Sequence, residues 1–212
     1  MASKIKIDIV SDVVCPWCTV GYKRLEKAIS ELGIQDKVEI EWQPFELNPS
    51  MPADGQNLNE HMKEKYRMSS EQLEETQQHM VDAANDVNFD FDFHDSMLMV
   101  NTFEAHILLE YAKDFGKQTT LKMNLMKAYF SDRKDVSDKN ILKQALLDVG
   151  LNADEALSKL NDKEAIEEVK TKQNYWKSLG VNSVPTIVFN RERAITGAHP
   201  VDTIKNVFSE ML

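Results

Sequence analysis

Apolar and polar positions alternate along residues 4–11, where Ile5, Ile7 and Ile9 are separated by Lys6 and Asp8. That period of two predicts a strand with one buried face. The period then changes. Val20, Leu25, Ala28, Ile29 and Leu32 recur at helical spacing, and Gly33 supplies a stop. Alternation resumes through Val38, Ile40 and Trp42, a second strand within 37–46 that Pro44 bends or ends. A β-α-β opening of this length suits a parallel pair joined by a crossover helix.

Residues 48–57, NPSMPADGQN, gather Pro, Asp, Asn and Gly and read as a linker. Helices are expected beyond it. One covers 58–68, and Ser69 with Gln72 forms a capping box for a second running toward Asn85. Asn101 with Glu104 opens another that ends near Gly116, and further helices are expected over 118–130, 138–148 and 152–160, the last capped by Asn152 with Glu155. Asn161 with Glu164 starts a long helix closed by Gly180. Between these, Phe89, Phe91 and Phe93 alternate with aspartates, which predicts an extended aromatic segment against the core. After Gly180 a strand is expected over 184–189, a turn over 190–192, a short strand over 193–196, and a final helix with Val201, Ile204, Val207 and Phe208 on one face.

Composition narrows the function. The 212 residues carry 25 basic and 35 acidic side chains, a formal charge of −10, so nucleic-acid phosphate and anionic membranes are unfavourable partners. No stretch approaches the roughly 20 apolar residues of a membrane span. The first residues alternate rather than forming the apolar run of a secretory signal, so the cytoplasm is the expected compartment. There are two cysteines, Cys15 and Cys18. A bridge between them closes too small a loop to constrain the unfolded chain, so a structural staple is poorly placed there.

Cys15-Pro16-Trp17-Cys18 lies between a predicted strand and a predicted helix, the context in which a C-x-x-C pair carries exchange chemistry. Pro16 is tolerated in a first helical turn. Unpaired N–H groups and the helix dipole favour a thiolate, most of all at Cys15, which is the expected nucleophile with a depressed pKa; Cys18 is the expected resolving thiol. Asp12, if close, would oppose that effect. Zinc is the competing use of such a pair, but a closed site needs about four ligands and no second cysteine pair exists, so no metal is expected. Two inert cysteines at a helix start are the bland alternative.

The stretch Ser11-Asp12-Val13-Val14-Cys15-Pro16-Trp17-Cys18, continuing to Gly21 and Arg24-Leu25-Glu26-Lys27, resembles the DsbA family, and more narrowly its signal-less FrnE-like branch. Phe45-Glu46-Leu47-Asn48-Pro49, Lys127-Ala128-Tyr129-Phe130 and Gly180-Val181-Asn182-Ser183-Val184-Pro185-Thr186 carry the same resemblance in order across essentially the whole chain. It implies an α/β thioredoxin-like fold with an inserted all-helical domain, here 1–57 and 165–212 around 58–164. It also implies disulfide oxidoreductase or isomerase activity, and a cis Pro185 opposite the dithiol, where the backbone of Val184 would pair with substrate. Thr19 departs from the aromatic residue this branch often carries, which bears on substrate fit. A related branch, similar to 2-hydroxychromene-2-carboxylate isomerase and kappa-class glutathione transferase, usually has serine in place of Cys15.

The expected substrates are protein or peptide disulfides, with no cofactor and with glutathione as a conceivable co-substrate, in a monomer or homodimer. Trp17 is expected to cover the thiols or contact substrate, Ser11 and Asp12 to tune them, and His199 to sit at the rim. Asn101, His106 and the Phe89, Phe91 and Phe93 group could line a cleft between helices and sheet, although capping and core packing suffice for them. Two rivals stand beside this reading: a glutathione-dependent transferase or isomerase of small molecules, and a redox-switched chaperone or binding module.

Overall fold

The isoleucine alternation builds β1 (Ile5–Ser11). In the computed structural model, which describes residues 4–212, α1 (Pro16–Leu32) follows and ends at Gly33, whose φ of 64° suits glycine. After a single 3₁₀ turn, β2 (Val38–Pro44) lies parallel to β1, with Ile5 beside Val38 and Ser11 beside Pro44. The crossover is therefore the one the periodicity predicts. The single buried face is not, because Asp8, Val10 and Ser11 are buried as well. Packing on both faces of this central strand overrides the polar alternation, and Asp8 is accommodated by a 2.6 Å hydrogen bond from Gln43 Nε2.

The proline-rich stretch is tied down rather than loose. Met51 is buried, and β3 (Gln56–Asn57) pairs with β4 (Leu98–Met99), a ladder too short to show a period. The helices α2 (Leu58–Tyr66) and α3 (Ser70–Asn85) form a hairpin, and Ser69 and Gln72 make the reciprocal capping box. The aromatic segment is extended, with Phe91 buried 4.7 Å from the Phe130 ring.

Next come α4 (Phe103–Lys113), α5 (Gln118–Phe130), α6 (Lys139–Asp148), α7 (Ala153–Ser158) and α8 (Lys163–Ser178). Two caps differ from expectation. Asn101 turns its carbonyl to the Phe103 N–H and its amide to the Met51 carbonyl, so α4 begins after Thr102 without a box to Glu104. The cap of α8 is Asp162 rather than Asn161, because the Asp162 carboxylate reaches the Glu164 N–H at 2.9 Å.

The chain closes with β5 (Thr186–Phe189), β6 (Arg193–Thr196) and α9 (Val201–Ser209). Together the main sheet runs β2-β1-β5-β6, with β5 antiparallel to both β1 and β6. Ile7, Ile9, Ile187 and Phe189 pack with α1 and with Ile204 and Phe208 of α9. On the opposite face, Val10, Phe45 and Val188 pack against Trp176 of α8. The helices also reach the outer edge of β2. There the Trp42 N–H donates to Gln118 Oε1 at 2.9 Å, and its carbonyl accepts from Gln118 Nε2 at 3.0 Å. Among the described residues, no helix is long and apolar enough to cross a membrane.

Candidate active site

The β1–α1 junction places the dithiol. Cys15 is the N-cap of α1, and Pro16 occupies the first turn, where its missing N–H breaks no hydrogen bond. The Cys15 sulfur accepts the Cys18 N–H at 3.3 Å, and its own S–H points at the Val184 carbonyl, 3.8 Å away. Both cysteines are free, with Cys15 only 4% and Cys18 0% exposed. The Val184-Pro185 peptide bond is cis. Gly21 makes this approach feasible, since a Cβ there would lie 3.0 Å from Pro185 Cγ. Trp17 is half-buried and meets His79 of α3 edge-on at 5.2 Å.

Behind the thiols lies a buried polar cluster. Asp12, 1% exposed, accepts from the Val13 N–H (2.7 Å), the Leu47 N–H (2.8 Å) and His106 Nε2 (3.3 Å). Burial alone would push its carboxyl up. The His106 hydrogen bond and charge, the Leu47 N–H and the Lys122 ammonium outweigh burial and hold Asp12 below the usual carboxylate range. Lys122 is likewise 1% exposed. Its Nζ sits 5.2 Å from the Trp42 ring centroid and 3.5 Å from the Ser11 carbonyl, a long contact for a buried ammonium. Burial pulls Lys122 down to about 8, against the attraction of Asp12, Cys18 and Cys15.

The expected depression of the Cys15 pKa is corrected by this geometry. Burial, then the hydrogen bond and charge of Cys18, push the thiol well above its ordinary value; Asp12 adds to this. The Cys18 N–H acts the other way and does not prevail. A helix start lowers a thiol's pKa when water also reaches it, and here little does.

A cavity of about 430 Å³ opens on Cys15. Val14, Cys15, Pro16, Trp17 and Val184 line it, so the structure brings these residues together. Asp12 lies behind them. His199 is not among the lining residues. Its Nε2 pairs with the Thr196 carbonyl at 3.0 Å, in a turn that Arg24 holds through the Ala198 carbonyl. Asn101 lines a separate open groove, His106 is buried on Asp12, and Phe91 belongs to the core. Sequence reasoning missed Lys122 and the α2–α3 wall formed by Leu58, Met62, Tyr66, Leu73 and Met80. Lys122 left a signal, since it interrupts the apolar stripe of Leu125 and Tyr129 at helical spacing.

A strand-to-helix dithiol facing a cis-proline loop, on a four-stranded mixed sheet, is the layout of a thioredoxin fold. Residues 6–209 match the model of the DSBA-like thioredoxin domain, and the chain belongs to that family of thiol–disulfide oxidoreductases. Among solved structures, a probable DsbA oxidoreductase from Streptomyces coelicolor superposes with a TM-score of 0.91 at 30% identity, over 97% of this chain and 89% of the other. The cytosolic disulfide reductase DsbM from Pseudomonas aeruginosa, solved with GSH, gives 0.67 at 13% identity over 97% and 98%. The uncharacterized protein YwbO of Bacillus subtilis is 26% identical over 97% of this chain and 96% of its own.

Proposed function

We propose that this protein exchanges disulfides through Cys15 and Cys18, in the reducing direction and in a reducing compartment such as the cytoplasm. The observation that carries the reading is the Cys15 sulfur, which caps α1, accepts the Cys18 N–H and faces the Val184 carbonyl at the floor of a cavity. Cys15 attacks a substrate disulfide, and Cys18, three residues on and fully buried, resolves the mixed disulfide. The Val184 carbonyl would pair with a substrate amide beside the reacting sulfur. The dithiol and the Val184 carbonyl admit protein disulfides and small disulfides alike, glutathione disulfide included.

Burial supports the direction. Strong oxidants of this type owe their high potential to a stabilised reduced form, in which the nucleophilic cysteine is held as a thiolate. Here the Cys15 thiol is held protonated, first by burial and then by Cys18. The potential of the pair, titrated in glutathione buffers with the dithiol fraction read by alkylation and mass, is therefore expected near or below about −270 mV. A value near about −120 mV would refute the reducing direction. Absence of any reversible disulfide would refute the exchange mechanism itself, as would undiminished activity in Cys15→Ser.

A further inference from the structure

Exchange chemistry needs two thiols and a carbonyl; it does not need an apolar chamber over them. The α2–α3 hairpin nevertheless builds one. Leu58 and Met62 of α2, Leu73 and Met80 of α3, and Met99 and Phe130 supply apolar wall around Cys15. Its volume of about 430 Å³ falls within the range of small-ligand sites, roughly 300–1,000 Å³.

The charge of the lining is one-sided at its rim. Glu46, the acid among the lining residues, is buried, bonded by Gln173 Nε2 at 3.0 Å, and its carboxyl is pushed up by burial. Lys65 is exposed, with Nζ held by the Asn48 side-chain oxygen (2.6 Å) and the Leu47 carbonyl (3.1 Å). Those contacts use two of the three donors of an ammonium and leave one for a ligand. Burial, and then Lys65 itself, hold the neighbouring His61 below its ordinary pKa, so at neutral pH it adds no charge.

We propose that the substrate reduced at Cys15 is a low-molecular-mass disulfide with an apolar body and a carboxylate at its far end. The body lies against Met62, Leu73 and Met80, and the carboxylate lies on Lys65. The inference rests on the thiol–disulfide reading above and deepens it. Cys15 gives up its proton and attacks one substrate sulfur from its minor thiolate form, the S–S bond breaks, and the first half leaves as a thiolate that takes up a proton. The Cys18 thiolate then attacks Cys15 in the mixed disulfide and expels the second half. Two electrons pass to the substrate, Cys15 and Cys18 become a disulfide, and the two protons of the dithiol leave on two substrate thiols.

The test is single-turnover oxidation of the reduced protein by four probes: dithiodipropionate, cystamine, dithiodibenzoate and insulin. Dithiodipropionate against cystamine reports charge, and dithiodibenzoate against dithiodipropionate reports the apolar body. Each ratio is taken within one protein, so a smaller folded fraction cancels. Lys65→Gln is expected to lower the first ratio about two- to fivefold, the range of an exposed ion pair. Met62→Gln is expected to lower the second by about fivefold. Ratios that neither substitution moves overturn the proposal while leaving the exchange chemistry intact. Insulin oxidising the wild type faster than dithiodibenzoate overturns it in favour of polypeptide substrates. A wild type that no probe oxidises overturns both this inference and the reading beneath it.

Discussion

Replacing Lys122 by methionine should stabilise the reduced protein at neutral pH, by an amount that shrinks as the pH rises. The side chain is 1% exposed, and burial brings its pKa down to about 8 from the 10.5 of a free lysine. At about 1.36 kcal/mol for each unit of that difference, carrying the proton in the folded state costs about 3 kcal/mol relative to an ordinary lysine. The attractions to Asp12 and the cysteines are already contained in that balance. Methionine is close in length and carries no charge, so at pH 7 a gain of about 2–3 kcal/mol is expected.

The sign over pH follows from which state holds more protons. Between about 8 and 10.5 the unfolded chain keeps the Lys122 proton and the folded chain has lost it, so this group makes wild-type stability rise through the window. The variant lacks that rise, and its advantage fades toward pH 10.5. Tyr22 and Tyr129, both raised first by burial, titrate in both proteins and largely cancel in the difference. Urea unfolding of both proteins under reductant, at several pH values from about 7 to about 10, reads the effect directly. A less stable variant at pH 7, or a difference flat across the window, would refute the argument that the buried ammonium is costly. The same substitution removes a positive charge that favours the Cys15 thiolate, so alkylation of Cys15 should require a higher pH.

Three further outcomes are expected. Asp12→Asn should cost about 2–4 kcal/mol at pH 7, because one of the oxygens facing Val13, Leu47 and His106 becomes a donor. Since Asp12 is held below its unfolded value, its contribution is complete above pH 4 or so and disappears as pH falls through the folded pKa; the urea curves of variant and wild type should converge in acid. Thr19→Val should stabilise by about 1 kcal/mol in thermal melts, because the buried Thr19 hydroxyl has no partner; a loss would show that the hydroxyl is satisfied. Gly21→Ala gains helix propensity of about 1 kcal/mol but drives a methyl to 3.0 Å from Pro185. It should slow thiol–disulfide exchange severalfold, and an unchanged rate would show that the Pro185 loop yields freely.

The residues whose environment is set by near neighbours were legible in the sequence. Ile5, Ile7 and Ile9 announced β1, Ser69 with Gln72 announced α3, and the C-x-x-C pair announced the head of α1. What escaped depends on distant partners. Asp12 meets His106 across 94 positions, and Lys122 reaches the Ser11 carbonyl across 111, so neither role could be read from spacing. The cavity wall escaped for the same reason, since α2 and α3 show only an amphipathic pattern and nothing in it says what the apolar side covers. Cys15 differs in kind. The C-x-x-C spacing places it at the head of the helix, but the degree of burial that reverses its acidity belongs to the tertiary structure.

The grip of Gln118 on Trp42 bears on what this protein does in a crowded solution. The outer edge of a sheet is a template on which another chain can add a strand, and such addition can repeat. One side-chain amide occupies both backbone positions at Trp42 that an incoming strand would take, so β2 is interrupted as a template from within its own chain. The other outer strand of the main sheet is β6, four residues long and carrying Arg193 at its start. Loss of Gln118 would free both backbone groups of Trp42 and leave β2, seven residues long, a longer uninterrupted front than β6.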